Sequence, residues 1–159
     1  MSFKTADLCD EFQDEVQILL PGLRDFGARR RFHGEIVTID AQGDFSRVRE
    51  QVRSPGAGKV LVIDNNACQR SAMLGDRLAA AALENDWQGV VINGCIRDSA
   101  DIAGMGLGVK ALACIPARGM LAGQGVSGSI LRFMGAEFRP GEFIYCDEDG
   151  VLLCARALI

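Results

Sequence analysis

The sequence predicts an α/β domain, with a parallel βαβ core followed by antiparallel strands in the C-terminal third. Two continuous apolar runs, residues 59–64 (KVLVID) and 89–93 (GVVIN), have the texture of strands buried on both faces. Between them, residues 75–86 carry apolar side chains at helical spacing. After residue 129, short β-type runs recur with turn sequences between them. A strand–helix–strand rhythm makes parallel pairs through right-handed crossovers, whereas closely spaced strands pair antiparallel. The 159 residues fit a single domain spanning 1–159.

The elements follow in order. Thr5 is expected to cap a short helix, with Asp7, Asp10 and Glu11 near its positive end and Leu8 and Phe12 on one face. Pro21-Gly22 breaks the chain. Residues 32–39 (FHGEIVTI) read as a strand, and 43–53 as a polar helix with Phe45, Val48 and Val52 at helical spacing. Residues 54–58 form a loop before the 59–64 strand. The 75–86 helix is expected to turn Leu78, Ala79, Ala82 and Leu83 inward. Residues 98–103 predict a short helix, and 107–115 contain a third core strand. The C-terminal runs are 130–133, 136–138, 143–146 and 151–154. Arg139-Pro140-Gly141 and Asp147-Glu148-Asp149-Gly150 separate the later ones, the second ending in a glycine suited to positive φ.

Charge and composition exclude several function classes. The net charge is −4, whereas nucleic-acid binding calls for a basic face that displaces counterions from phosphates. The dense basic run Arg29-Arg30-Arg31 adjoins a strand and reads as a solvated strand end, so no direct nucleic-acid partner is expected. The N-terminus has no apolar leader pattern, and no run approaches the length of a membrane span, so a cytoplasmic protein is expected. Six cysteines, Cys9, Cys68, Cys95, Cys114, Cys146 and Cys154, include no C-x-x-C pair, and the single His33 lies far from all of them in sequence. That spacing does not make a zinc cage. Cys95, Cys114, Cys146 and Cys154 read as small core hydrophobes.

Three features suggest chemistry. The first turn of the 75–86 helix exposes backbone amides that favour anions, and Gly75 lets a ligand approach closely. A substrate carboxylate fits the backbone at Gly75, Asp76, Arg77 and Leu78. Arg97-Asp98 follows the 89–93 strand, and ligands in α/β sheets bind at such strand ends. Arg97 offers a planar fork for a carboxylate and its neighbouring keto oxygen, and Asp98 is a hard oxygen ligand for Mg²⁺ or Mn²⁺. One helix and one strand separate Asp76 from Arg97, which returns both to the same end of the sheet. The plainer alternatives are a first-turn carboxylate on a helix dipole and an exposed neighbouring ion pair.

With these residues in place, the chain resembles the RraA-like family, which includes the regulator of ribonuclease E activity and the 4-hydroxy-4-methyl-2-oxoglutarate / 4-carboxy-4-hydroxy-2-oxoadipate aldolases. The resemblance runs from Thr5-Ala6-Asp7-Leu8-Cys9-Asp10 through Gly27-Ala28-Arg29, Gly34 and residues 60–64 to Pro140-Gly141-Glu142 and residues 147–151. Its most specific part is Gly75-Asp76, then twenty residues, then Arg97-Asp98. The resemblance implies a compact α/β/β domain similar to swivelling phosphohistidine domains, assembled as a homotrimer with sites between subunits. It implies that Arg97 and Asp76 are catalytic and that Gly75, Asp76, Arg77, Leu78 and Arg97 bind the small 2-oxo acid. Asp98 would be the direct ligand of a divalent metal cation, Mg²⁺ or Mn²⁺, which Asp76 reaches through water. Longer members carry a C-terminal extension that places an acidic group in the neighbour's site, and this chain, ending at Ile159, is expected to lack it.

The function so implied is metal-dependent pyruvate aldolase chemistry, with oxaloacetate decarboxylation as a side activity. A Schiff-base aldolase would need a desolvated lysine. Of Lys4, Lys59 and Lys110, Lys110 is the best placed, and a strand-edge lysine is the plainer reading of it. A second class of function is a non-catalytic regulator that binds ribonuclease E. The run Gly104-Met105-Gly106-Leu107-Gly108 raises a nucleotide or methyltransferase site, but it precedes a strand and reads better as tight turns. His33 and Trp87 read as structural. Residues 119–128, with four glycines, read as a mobile loop near the site or a subunit contact.

Overall fold

The structure, a computed structural model, describes residues 2–159. Helix α1 (Thr5–Glu11) leads into two short strands, β1 (Val16–Ile18) and β2 (Arg24–Asp25). Then come β3 (Phe32–Asp40), α2 (Ser46–Val52), β4 (Val60–Asp64), β5 (Ala72–Leu74), α3 (Asp76–Glu84), β6 (Gly89–Asn93) and β7 (Cys95–Ile96). After α4 (Ser99–Ile102) the remaining elements are strands: β8 (Gly108–Ala111), β9 (Ala113–Cys114), β10 (Val126–Ser127), β11 (Leu131–Phe133), β12 (Ala136–Phe138), β13 (Phe143–Asp147) and β14 (Gly150–Cys154).

The main sheet runs β1-β14-β13-β3-β4-β6-β8-β2, with β10 added to the far half of β3. Strands β3, β4, β6 and β8 are parallel, and the others join antiparallel. The continuous apolar runs follow from burial on both faces. In β4, Leu61 and Ile63 pack in a core with Val48 and Val52 of α2 and Ala79 and Ala82 of α3. Val60 and Val62 face the other way, into a core with Phe133, Phe138 and Ile144. A third cluster of Phe3, Leu8, Tyr145 and Leu152 seats α1, and His33 stacks on Tyr145 at 5.6 Å. Trp87 is buried and donates to the Ser54 carbonyl at 3.0 Å, the structural role expected of it.

Several expectations change. Thr5 is the first helical residue, not the cap. Its amide and hydroxyl both donate to the buried Asp147 carboxylate, at 2.7 and 2.6 Å. A remote side chain thus satisfies the helix start. Leu83 is 41% exposed, because it lies at the edge of the apolar stripe of α3. Cys114 is exposed on the short strand β9, unlike Cys95, Cys146 and Cys154. Lys110 is not at an edge. It lies on β8 between β6 and β2, 3% exposed, with its Nζ 3.0 Å from Asp25 Oδ1. Among the described residues, no helix is long and apolar enough to cross a membrane.

A small parallel sheet, β5-β7-β9, continues beyond the C-terminal end of the main sheet. It arises because the chain does not stop at the ends of β6 and β8. Gly94 carries β6 into β7, and Leu112, whose amide donates to the Gly94 carbonyl at 2.9 Å, carries β8 into β9. This small sheet positions the site.

Candidate active site at the ends of β5 and β7

Strands β5 and β7 are parallel neighbours, so the residues that follow them emerge side by side. Gly75 and Asp76 follow β5 and open α3; Arg97 and Asp98 follow β7 and open α4. The Arg97 amide donates to the Leu74 carbonyl at 2.9 Å, fixing the two exits against each other. Asp76 and Arg97 thus stand at one end of the sheet, as the intervening helix and returning strand predict.

Asp98 adopts a left-handed backbone, φ 56° and ψ 42°, which aspartate tolerates better than most residues. That conformation turns the chain sharply from β7 into α4, where the Ile102 amide donates to the Asp98 carbonyl at 3.0 Å. The same turn carries the Asp98 side chain back to α3. Its Oδ2 accepts the Asp76 amide at 3.0 Å. That bond is the leading cause holding the Asp98 carboxyl below its ordinary pKa; burial opposes it, and the Asp76 side chain and Arg97 reinforce it.

Gly75 caps α3 in an extended conformation, φ −123°, so its backbone does not require glycine. Space does. A Cβ there would lie 2.8 Å from Asp98 Oδ2 and 3.3 Å from Arg97 Nε. The close approach expected of a ligand at Gly75 is made by these two side chains.

The amide cradle is partly self-satisfied. The Asp76 amide goes to Asp98, and the Arg77 amide donates to Asp76 Oδ1 at 2.9 Å. Among the described residues, the Leu78 amide has no protein acceptor. It is the donor left for an incoming anion. The donor set suits a hard divalent cation: two carboxylates, one from Asp98 and one from Asp76, stand beside each other. No group of three or more histidine, cysteine or acidic side chains that could hold a metal occurs among the described residues. Mg²⁺ keeps several waters and needs only one or two carboxylates plus substrate oxygens, so these residues fit it.

These residues line a cleft of about 590 Å³. Its other walls are Phe45, Arg49 and Arg53 from the α2 side, and Arg118 and Leu121 from the loop after β9. Leu121 belongs to the glycine-rich 119–128 segment, for which a place near the site is one of the two sequence readings; the sequence does not single out the others as functional. Phe45, Arg49 and Arg53 recur at every fourth residue, a stripe readable in the sequence beside the Val48 and Val52 core stripe. Arg118 left no sequence signal, because a long-range loop contact places it. Lys110 lines a separate cleft of about 470 Å³ that shares no residue with this one.

Fold and cleft together define a mixed α/β protein that presents an Arg-Asp pair against a helix start. The chain belongs to the RraA-like family: the family model, described as Aldolase/RraA, matches residues 5–153. It is 49% identical over its full length, and over the full length of its relative, to "Putative 4-hydroxy-4-methyl-2-oxoglutarate aldolase" of Laribacter hongkongensis. A protein of the same name from Alkalilimnicola ehrlichii is 45% identical, across 100% of this chain and 99% of its own. Among solved structures, the RNA-processing inhibitor RraA from Thermus thermophilis superposes with a TM-score of 0.96 at 36% identity, covering 100% of this chain and 96% of its own. A Geobacillus kaustophilus structure described as an S-adenosylmethionine:2-dimethylmenaquinone methyltransferase superposes with a TM-score of 0.95 at 42% identity, covering 98% and 97%. In this chain Gly104 and Gly106 lie between α4 and β8 and Gly108 opens β8, so the run leads from a helix into a strand, not through a strand-to-helix phosphate turn.

Proposed function

We propose that this chain is a divalent-metal-dependent pyruvate aldolase. It would cleave 4-hydroxy-4-methyl-2-oxoglutarate or 4-carboxy-4-hydroxy-2-oxoadipate to pyruvate and a second oxo acid, and decarboxylate oxaloacetate as a side activity. The observation that carries this reading is the contact of Asp98 with the start of α3, beside Arg97, in one polar cleft. The names of the full-length relatives support the same substrate.

Asp98 would hold the cation directly and Asp76 through water. The cation, when bound, supplies Lewis-acid polarisation of the 2-keto group. The free Leu78 amide would take the C1 carboxylate, and Arg97 would span that carboxylate and the keto oxygen. As the C3–C4 bond breaks, its electron pair passes into the pyruvate enolate, whose developing charge Arg97 stabilises. The 4-hydroxyl would lose its proton to a water ordered by Asp76 as C4 becomes a carbonyl. Protonation at C3 then gives pyruvate. The test is pyruvate release from 4-hydroxy-4-methyl-2-oxoglutarate and from oxaloacetate with Mg²⁺ or Mn²⁺, with and without EDTA. Turnover that EDTA removes is the expected result; no turnover from folded protein with either metal overturns it.

The match to the Thermus RNA-processing inhibitor supports a second reading, a regulator that binds ribonuclease E without chemistry. Ribonuclease E binding that survives loss of Asp76 and Asp98 would favour it. The assembly proposed with the first reading is a homotrimer. Met120, 65% exposed, with Leu121 on the same loop and Val126 at the start of β10, offers apolar surface for a subunit contact. Sedimentation at the monomer mass would overturn that.

A further inference from the structure

We propose that Arg49, Arg53 and Arg118 form a second anion subsite, which selects 2-oxo acids carrying a further carboxylate on the departing fragment. This rests on the aldolase reading of the same cleft and assigns residues to a part of the substrate that Arg97 and α3 do not serve.

The cleft's charge is opposite to that of the chain. The protein carries a net charge of −4, yet five arginines, 49, 53, 77, 97 and 118, line this cleft against two aspartates, 76 and 98. Outside the cleft, six of the twelve lysines and arginines (Arg31, Arg47, Lys110, Arg132, Arg139 and Arg156) pair with a carboxylate. Among the described residues, none of the five cleft arginines forms an ion pair. Glu50, the carboxylate of α2, is taken by Arg47 at 2.6 Å and leaves Arg49 and Arg53 unneutralised. Like charges gathered in one concave wall repel one another, and an anionic ligand relieves that cost.

The wall is also built. Arg49 lies on α2 and Arg53 is its C-cap, one turn apart, and both line the cleft with the N-cap residue Phe45. The Arg118 guanidinium sits 5.7 Å from the Phe45 ring centroid, within cation–π range. That contact holds Arg118 on the α2 side of the cleft. Arg97 and the Leu78 amide take the pyruvyl carboxylate at one wall, so a carboxylate beyond C3 meets the arginines of the other. Arginine's planar fork suits a carboxylate better than lysine's point charge does.

The experiment compares two ligands differing only in the distal group: 2-oxoglutarate, which ends in a carboxylate, and 2-oxopentanoate, which ends in a methyl. Each is titrated calorimetrically into the full chain with Mn²⁺. Wild type is expected to bind 2-oxoglutarate at least about tenfold more tightly. Arg118→Met and the double variant Arg49→Met/Arg53→Met are expected to bring the ratio towards one, with Arg118→Lys intermediate. Thermal melts identify any variant that fails to fold, and the wild-type ratio stands without the variants. Equal affinity in wild type, or a ratio unchanged in both Met variants, overturns the subsite and leaves the aldolase reading intact. Binding of neither ligand by wild type sinks the 2-oxo-acid reading and the subsite with it.

Discussion

The carboxylate of Asp98 accepts the backbone amide of Asp76 at 3.0 Å, although 22 residues separate them. One bond therefore joins the turn after β7 to the first turn of α3. Asp98→Ala should remove the proposed metal ligand and free the helix amide together. We expect metal-dependent cleavage to fall by at least about a hundredfold in kcat, since polarisation by a metal contributes several kcal/mol. Stability should fall by about 1–3 kcal/mol, from the lost helix-start acceptor together with alanine's poorer tolerance of the left-handed backbone at this position. Kinetics and a urea melt on the same preparation separate the two effects; full turnover in Asp98→Ala would refute the assigned role.

Gly75→Ala tests the same junction from the other side. The new Cβ would lie 2.8 Å from Asp98 Oδ2, closer than real Cβ contacts allow. The Gly75 backbone is extended, so alanine adds little conformational strain. Activity should therefore fall by about tenfold or more while the melting temperature moves little, because a small displacement of a positioned group is costly to rate. A variant with unchanged kcat and KM would show that Asp98 does not need this position.

The pattern of what was legible follows from how these residues are placed. Strands β4 and β6 are buried on both faces, so 59–64 and 89–93 are unbroken apolar runs that need no partner to be recognised. Gly75-Asp76 and Arg97-Asp98 could be paired because a helix and a returning strand fix their relation. Strands β5, β7 and β9, two or three residues each, exist only through mutual pairing, and local sequence carries no trace of them. Helical periodicity put Leu83 on the inner face, yet it could not tell which edge of the stripe meets water. The burial of Lys110 depends on Asp25, far upstream on β2. The arginine wall was half legible: the spacing of Phe45, Arg49 and Arg53 puts them on one face of α2, but only the loop's return across the cleft makes that face matter.

Asp44 controls that return. It is buried, and its carboxylate accepts the amides of Ser46, Ala122 and Gln124, at 2.8, 2.7 and 3.3 Å. Burial pushes its pKa up, but these bonds and one from the Ser46 hydroxyl outweigh it and hold the group at about 2. A depressed carboxyl contributes stability that is fully present above its unfolded value, near 3.8, and lost as pH falls through about 2. The loop after Arg118 should thus loosen between about pH 4 and 2. Hydrogen exchange at the Ala122 and Gln124 amides should accelerate in that window in wild type, and already at neutral pH in Asp44→Ala. Protection that is indifferent to both changes would mean that other contacts fasten the loop.

Lys110 distinguishes two aldolase chemistries. A Schiff-base enzyme keeps its lysine near substrate, whereas Lys110 faces Asp25 in a different cleft from Arg97 and Asp98. With side chains 4% and 17% exposed, the pair is largely desolvated. Removing one partner strands the other charge, which costs about 3 kcal/mol or more. Lys110→Met should therefore lower the melting temperature clearly. Folded Lys110→Met should keep wild-type kcat, and borohydride should trap no pyruvate adduct on the wild-type chain. The double variant Lys110→Met/Asp25→Leu should recover much of the lost stability, because it leaves no orphaned charge. Loss of kcat in folded Lys110→Met, or a trapped adduct at Lys110, would move the chemistry to that cleft and remove Asp98 from the reaction.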